Sequence, residues 1–346
     1  MFLKRLRLLN FRNHKDFQRD FDKTNIILGP NTSGKTNLLE AIYLLSTTKS
    51  FRTNLNQNLI SFGSAFSKIE GEIEENNRLL NLELLLIKEP QEKQKVKKGA
   101  KIDNKPKPLI FFLGTFLAVL FTPESLNLIL GPPSLRRQAM DLILSQVSKK
   151  YTQNLIEFLK ALKQRNRLLL KIKEEKANPS LLDFWDQRFL ATSAFLRQKR
   201  REFLQSLNIF LPKDLRLLYL PSPSDDLEGV LRRARKKEIE FGFSLFGPQK
   251  DDFIFLKNKK SLNNFGSRGE IREGAIYFKL AEFAFIKQKT GSLPVLLLDD
   301  IFSELDQKRK KELTPLEPKG QIILTTTSLS SLNPKIIKQA KIIELE

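Results

Sequence analysis

Eight consecutive residues, Gly29, Pro30, Asn31, Thr32, Ser33, Gly34, Lys35 and Thr36, match the phosphate-loop pattern G-x-x-x-x-G-K-[ST] in full. Glycines at both ends let the backbone curl until its N–H groups point inward at a phosphate, and a following helix adds partial positive charge there. In this pattern Lys35 reaches the β- and γ-phosphates and the Thr36 hydroxyl binds Mg²⁺. A metal held that way needs an acid as well. Pro294-Val-Leu-Leu-Leu-Asp299-Asp300 supplies one as an apolar strand ending in two carboxylates. Asp299 is placed to hold Mg²⁺ beside Thr36, and Asp300 to orient or activate the water that attacks the γ-phosphate. A third segment, Phe265-Gly-Ser267-Arg-Gly269-Glu270, opens a helix with small residues and a hydroxyl, a second anion site. One nucleoside triphosphate needs one cradle, so the second points to a nucleotide held by a partner subunit.

The elements around these residues follow from periodicity. Residues 2–9 alternate as a strand, 25–28 form a short apolar strand, and Leu38, Leu39, Ile42 and Leu45 recur at helical spacing just after the loop. Segments 67–74 and 79–87 predict strands joined around Asn76-Asn77, and 295–298 and 322–326 predict two more behind a helix at 270–287. The Lys-rich segment 88–108 reads as an exposed loop, with a DNA-touching hairpin as the alternative. From 135 to about 235 the period becomes helical. Lys160, Lys163, Arg165, Arg167 and Lys171 suggest a basic outer face on one helix, and Arg197, Lys199, Arg200 and Arg201 on the next. Arg232, Arg233, Arg235, Lys236 and Lys237 form a third basic cluster. His14 reads as exposed or packed rather than catalytic, and Trp185 as a packing residue. No channel of interleaved aromatic and basic residues for a single strand stands out.

At 346 residues the chain has room for two compact units. It has 60 Lys+Arg against 39 Asp+Glu, a formal net charge of +21, which favours a polyanionic partner. There is no Cys, which removes disulfides, thiol catalysis and Cys-based zinc, and the one His argues against a His-rich metal site or a Ser/His/Asp triad. The longest apolar stretch, 109–121, is interrupted by Gly114 and Thr115 and is too short to span a bilayer. The first residues lack the continuous apolar run of a secretion signal, so the expectation is a cytoplasmic protein without membrane partners.

Phosphate loop, serine–glycine segment, acid-ended strand and then Ser303-Glu-Leu-Asp306 is an order that resembles the ABC-type ATPases. The finer text is similar to the RecF family of bacterial recombination mediators. Leu9-Asn-Phe-Arg-Asn13, Gly34-Lys-Thr-Asn-Leu-Leu-Glu-Ala-Ile-Tyr-Leu-Leu-Ser46, Ser50-Phe-Arg52, Phe121-Thr-Pro-Glu124 and Arg136-Arg137 carry the likeness. So do Leu162-Lys-Gln-Arg-Asn166, Gly247-Pro-Gln-Lys-Asp251 and Leu297-Leu-Asp-Asp-Ile-Phe-Ser-Glu-Leu-Asp306. The resemblance implies an α/β fold: an ABC-type, SMC-head-like P-loop ATPase lobe built from 1–121 and 270–346. A mainly helical lobe, 122–269, is inserted into it and carries the serine–glycine signature at its end. It further implies a homodimer formed on ATP binding, two sandwiched nucleotides with Mg²⁺, and a clamp on double-stranded or gapped DNA. ATP turnover would be weak and stimulated by DNA. RecO and RecR are the implied partners, with RecA loaded indirectly, in replication and recombinational repair. By position, Ser267 and Gly269 touch the partner's γ-phosphate, Asp306 lies in the loop that crosses the dimer, Arg12 sits near the base, and Thr326 or Thr327 takes the switch position.

Three positions depart from the family's pattern. Thr32 stands where glycine is usual, Gln249 and Lys250 stand where His and Arg are usual, and Glu270 replaces a common Gln. These bear on hydrolysis more than on nucleotide binding. A transporter-type ATPase subunit is the first competing reading, but the chain lacks Leu-Ser-Gly-Gly-Gln and a switch His. A small-molecule P-loop kinase is the second, and it needs no signature segment. A clamp that binds ATP without hydrolysing it remains open from sequence.

Overall fold

β1 (Phe2–Phe11) and β2 (His14–Asp20) form an antiparallel hairpin with Phe11 opposite His14. Alternation along β1 buries Leu3, Leu6 and Leu8 while Arg5 and Arg7 face solvent. The structure is a computed structural model that describes residues 1–89, 95–223, 226–301 and 320–346. β3 (Thr24–Leu28) then leads through the glycine loop into α1 (Lys35–Thr47). β4 (Phe66–Glu75), β5 (Arg78–Lys88), β6 (Val96–Ile102) and β7 (Lys105–Pro106) extend the antiparallel sheet in the order β2-β1-β4-β5-β6-β7. Asn76-Asn77 and Asp103-Asn104 each close a two-residue hairpin with φ near +49° and +62°, values a type I′ turn requires. The expected loop over 88–108 is therefore corrected: most of its described part is strand. β6 is held by main-chain pairing to β5 and β7 by pairing to β6, and only Ala100 of β6 is buried, so the hydrophobic alternation that marks a core-facing strand is missing.

After a single turn, α2 (Leu109–Phe112), the fully buried β8 (Ala118–Phe121) completes the first part of this unit. The second part follows the helical lobe, and its strands β12 (Val295–Asp299), β13 (Ile322–Thr326) and β14 (Lys341–Glu344) are placed below. The lobe itself contains α3 (Asn127–Leu130), α4 (Pro133–Val147), α5 (Lys149–Lys173), α6 (Leu182–Ile209), β9 (Leu215–Leu220) and α7 (Leu227–Phe241). β10 (Asp252–Lys257), β11 (Lys260–Ser261), α8 (Leu262–Phe265) and α9 (Arg268–Thr290) follow, with β11-β10-β9 forming a small antiparallel sheet.

Two of the helices do not carry all their basic residues on the outer face, which corrects the expectation for Arg165, Arg197 and Arg200. Phe158, Ala161, Arg165, Leu169 and Ile172 of α5 are all buried, at steps of three and four, so Arg165 occupies a core position. Arg197 and Arg200 fall in the same way on the inner face of α6. Each is matched by acids. Arg165 donates from Nε to Asp186 Oδ1 and from Nη2 to Glu238 Oε2, both at 2.6 Å, and from Nη1 to Ser244 Oγ at 2.7 Å. Arg200 makes a bidentate pair with Asp141 at 2.9 and 3.0 Å, and Arg197 Nη2 reaches Asp251 Oδ1 at 2.9 Å. Buried guanidinium groups survive only with this many partners.

β3, β8, β12, β13 and β14 make an all-parallel sheet in the order β14-β3-β13-β12-β8. β8, β12 and β13 are buried along their whole length, as a parallel sheet covered on both faces requires. α1 packs against strands of this sheet and against β1, β4 and β5, which explains why it is buried nearly all round. The described residues gather into two compact units, Met1–Ser125 with Ile286–Glu346, and Leu126–Phe285. α9 is divided between them, whereas the sequence-based division placed it in the first lobe.

Candidate nucleotide site

The loop from Gly29 to Gly34 is pressed against the β1–β2 hairpin. Gly34 sits at φ +100°, and a Cβ there would meet the Asn13 amide and His14 Nε2 at 2.7–2.8 Å. Asn13 Nδ2 donates to the Ser33 carbonyl, and His14 Nε2 lies 3.3 Å from the Gly34 carbonyl. His14 is therefore a packing residue on the loop's outer side. Burial pushes its pKa down, opposed by the Gly34 carbonyl. Lys35 Nζ donates to the carbonyls of Gly29 and Pro30, both at 2.7 Å, which curls its ammonium over the loop. Desolvation lowers the Lys35 pKa, while the nearby charges of Asp300 and Asp299 raise it. The Ser33 hydroxyl is buried and has no protein partner. A curled loop, a folded-over ammonium and a buried hydroxyl without a partner suit a bound phosphate group.

β12 delivers the acids. Thr36 Oγ1 donates to Asp299 Oδ1 at 3.0 Å although the two residues lie 263 positions apart, and Thr325 Oγ1 donates to the same oxygen at 2.8 Å. Burial pushes the Asp299 carboxyl up from its ordinary value, against those two hydrogen bonds, and Glu124 and Asp300 add to the rise. A buried carboxylate with acidic neighbours gains from a divalent cation. The described residues hold no cluster of three His, Cys, Asp or Glu side chains. A cation between Thr36 and Asp299 would therefore take its other oxygens from phosphate and water, the pattern of Mg²⁺. Asp300 follows at φ +47°, with its N–H held by Thr325 Oγ1 at 3.0 Å.

Arg12 turns away from solvent to clamp Glu40 of α1, with Nε and Nη2 each 2.8 Å from a carboxylate oxygen. Ser50 Oγ donates to the same carboxylate at 2.5 Å. Arg52 holds Asn37 at 2.6 Å, and Asn37 holds Asn13 at 2.8 Å. This belt ties the hairpin and α1 around the loop. In the sequence these residues are landmarks of the resemblance, and only Arg12 carries an expected role, near the base; partners 10 to 28 positions apart leave no local spacing signal.

Ser267 and Gly269 lie in the second unit, apart in sequence and in unit from the phosphate loop. Ser267 donates from N and from Oγ to Glu270 Oε2 at 2.9 and 3.0 Å, and Glu270 N returns to Ser267 Oγ at 3.3 Å. That is a reciprocal capping box, and the two Ser267 donors hold the Glu270 carboxyl below its usual value. Thr326 closes β13, buried, with its hydroxyl on the Ser328 carbonyl at 2.9 Å, and Thr327 is exposed. Gln249 Nε2 donates to the Phe246 carbonyl at 2.7 Å. Asp306 lies outside the described residues. The fold brings Thr36 against Asp299, with Lys35 near the charges of Asp299 and Asp300.

Residues 2–335 match the family model described as RecF/RecN/SMC N terminal domain. A DNA replication and repair protein RecF from Lactobacillus gasseri is 35% identical over 367 residues, spanning 99% of this chain and 96% of the relative. The Bacillus cereus protein of the same name is 35% identical, spanning 100% of this chain and 97% of the relative. A solved structure of the recombination mediator protein RecF with ATP, in the RecFOR pathway, superposes with a TM-score of 0.88 at 31% identity. It covers 96% of this chain and 93% of its own. The Smc head domain of Pyrococcus furiosus shares the fold, with a TM-score of 0.50 at 17% identity, covering 99% of this chain and 93% of its own. No helix among the described residues is long and apolar enough to cross a membrane.

Proposed function

Because the chain belongs to the RecF family of DNA replication and repair proteins, we propose that it is an ATP-gated DNA-binding protein that acts in the cytoplasm. The single observation that carries this reading is the meeting of Thr36 with Asp299 beside a fully matched phosphate loop. ATP binds with its phosphates in the amides from Gly29 to Thr36 and with Lys35 on the β- and γ-phosphates. Bound Mg²⁺ supplies neutralisation of the phosphate charge, and Thr36 and Asp299 are the residues that hold it. Asp300 positions the attacking water. Ser267 and Gly269 receive the γ-phosphate of a second copy, which makes ATP the glue of a homodimer, with Asp306 in the loop that crosses between copies. The dimer closes on double-stranded or gapped DNA, and RecO and RecR are its partners in the loading of RecA.

For Ser267 to engage that phosphate, its N–H and O–H must leave the Glu270 carboxylate. This supports slow ATP turnover, and the reading adds that DNA stimulates it. The left-handed backbone of Thr32 favours a second reading, a clamp that binds ATP and scarcely hydrolyses it.

The test measures binding to a duplex carrying a single-stranded gap without nucleotide, with ATP and with ADP. Mass is followed by light scattering, on the native chain and on Lys35→Ala. ATP-dependent dimers on DNA that vanish in the variant are expected. Binding that ignores nucleotide, with no change in mass, would overturn the gating. The ATPase rate on gapped DNA separates the two readings.

A further inference from the structure

Phe241 ends α7 and Phe243 follows two residues later. Between them Gly242 takes φ +78°, and its N–H turns back to the carbonyls of Glu238 and Ile239 at 2.8 and 3.2 Å. This left-handed cap sets the two rings edge to face, with centroids 5.9 Å apart, and leaves them 48% and 42% exposed. Lys237 Nζ stands 6.0 Å from the Phe241 ring centre and Lys250 Nζ 6.0 Å from that of Phe243. Lys173, at the end of α5, packs under the turn, its Cδ 3.5 Å from where a Gly242 side chain would start.

None of these three lysines pairs with a carboxylate among the described residues. The lobe elsewhere neutralises exposed cations readily: Arg232 with Glu228 at 3.0 Å, Arg235 with Asp183 at 2.7 Å, Lys199 with Glu202 at 2.7 Å. Two exposed aromatic rings among three such cations ask for a ligand with flat faces and anionic links between them. A duplex offers the phosphates, but its base faces are hidden in its own stack. An unpaired strand offers both.

We propose that Phe241 and Phe243, with Lys173, Lys237 and Lys250, form a stacking platform for unpaired nucleotides, which gives the helical lobe a preference for the single-stranded part of a gap. This rests on the reading that the chain binds DNA and assigns the gap-recognising site within it. Phe-Gly-Phe beside lysines is short enough to escape a search for a long aromatic channel.

The test compares an intact duplex, a gapped duplex of the same length and oligo(dT), each with ATP at one salt concentration, by fluorescence anisotropy. The native chain is expected to bind the gapped duplex more tightly than the intact one. Phe241→Ala with Phe243→Ala lowers affinity for the gap and for oligo(dT) about tenfold or more, while intact duplex changes less than about twofold. Phe243→Tyr keeps the preference, and thermal melting confirms that all variants fold. Phe243→Trp in a Trp185→Phe background gives a single reporter whose emission oligo(dT) quenches and duplex does not. A double-alanine variant that binds the gap like the native chain, as a protein-docking patch would, overturns the platform. So does an equal loss on all three DNAs. A native chain that binds none of the three overturns the DNA reading instead.

Discussion

Thr32 holds φ +79° inside the phosphate loop, a region where a β-branched side chain crowds its own backbone. Its hydroxyl turns onto the Asn31 carbonyl, a local bond that offsets only part of the cost. Left-handed backbone costs a non-glycine residue about 1–2 kcal/mol, and glycine returns roughly half of that through its freer unfolded chain. Thr32→Gly is therefore expected to stabilise the protein by about 1 kcal/mol in urea denaturation; a loss of stability would mean that the loop is not strained there. Lys98 poses a different residue-scale problem. Its Nζ donates to the Thr48 carbonyl at the end of α1, at 2.7 Å, and burial, aided by the Lys49 charge, pulls its pKa from 10.5 down to about 8. Below pH 8 folded and unfolded chains both carry the proton and the folded one bears the full cost of a buried charge. Between pH 8 and 10.5 the unfolded chain keeps a proton that the folded chain has released, so stability rises with pH across that window. Stability of the native chain relative to Lys98→Met should climb from pH 8 to 10.5 in denaturant titrations, and two parallel curves would refute it.

The helical elements show where sequence patterns mislead. Periodicity located α5 and α6 well, yet residue type assigned Arg165, Arg197 and Arg200 to the outer faces. Position outranked type, because the acids that make an inward arginine tolerable come from other elements and cannot be seen in a local window. Asp186 lies on α6 and Glu238 on α7, so Arg165 of α5 joins three helices through one guanidinium. Glu238 also accepts from Leu245 N at 2.8 Å, and Ser244 is held by Asn166 at 2.9 and 2.7 Å. This explains the Arg165-Asn166 landmark as architecture rather than chemistry. Removing one partner strands the others without solvent. Glu238→Ala should cost about 3–5 kcal/mol, read from denaturation followed by the fluorescence of the single tryptophan, Trp185 on α6. Glu228→Ala breaks only an exposed pair with Arg232 and should leave the midpoint nearly unmoved. The β elements teach the complementary lesson. β6 and β7, at the β7 end of the sheet, carry the composition of a loop because strands that bury few side chains take their stability from main-chain pairing, and the one legible sign was the Asp103-Asn104 turn.

At the scale of the molecule, the phosphate loop and its acid were readable because each is a contiguous motif whose chemistry fixes its residue types. The net charge of +21 was equally readable, but its distribution was not. Many cations prove to be committed: Lys97 to Glu89 at 2.6 Å, Lys101 to Glu83 at 2.9 Å, Arg5 to Asp20 at 2.6 Å, and the buried arginines of the helical lobe to their acids. Each such pair is neutral and already counted in the net +21, so pairing decides where the surplus cations lie and not how large the surplus is. Counterion release measures the electrostatic footprint directly, since each neutralised phosphate contributes about −0.9 to the slope of log affinity against log salt. A clamp that touches roughly six phosphates should lose about a thousandfold in duplex affinity between ~50 and ~200 mM salt, with a slope of about −5. Lys237→Gln with Lys250→Gln should leave the intact-duplex slope almost unchanged and flatten the slope for gapped DNA by about one to two, because those lysines face the unpaired strand in the proposed platform. Equal flattening on both DNAs would place these lysines on the duplex path instead. A native slope near zero would mean that the surplus charge serves some purpose other than phosphate neutralisation.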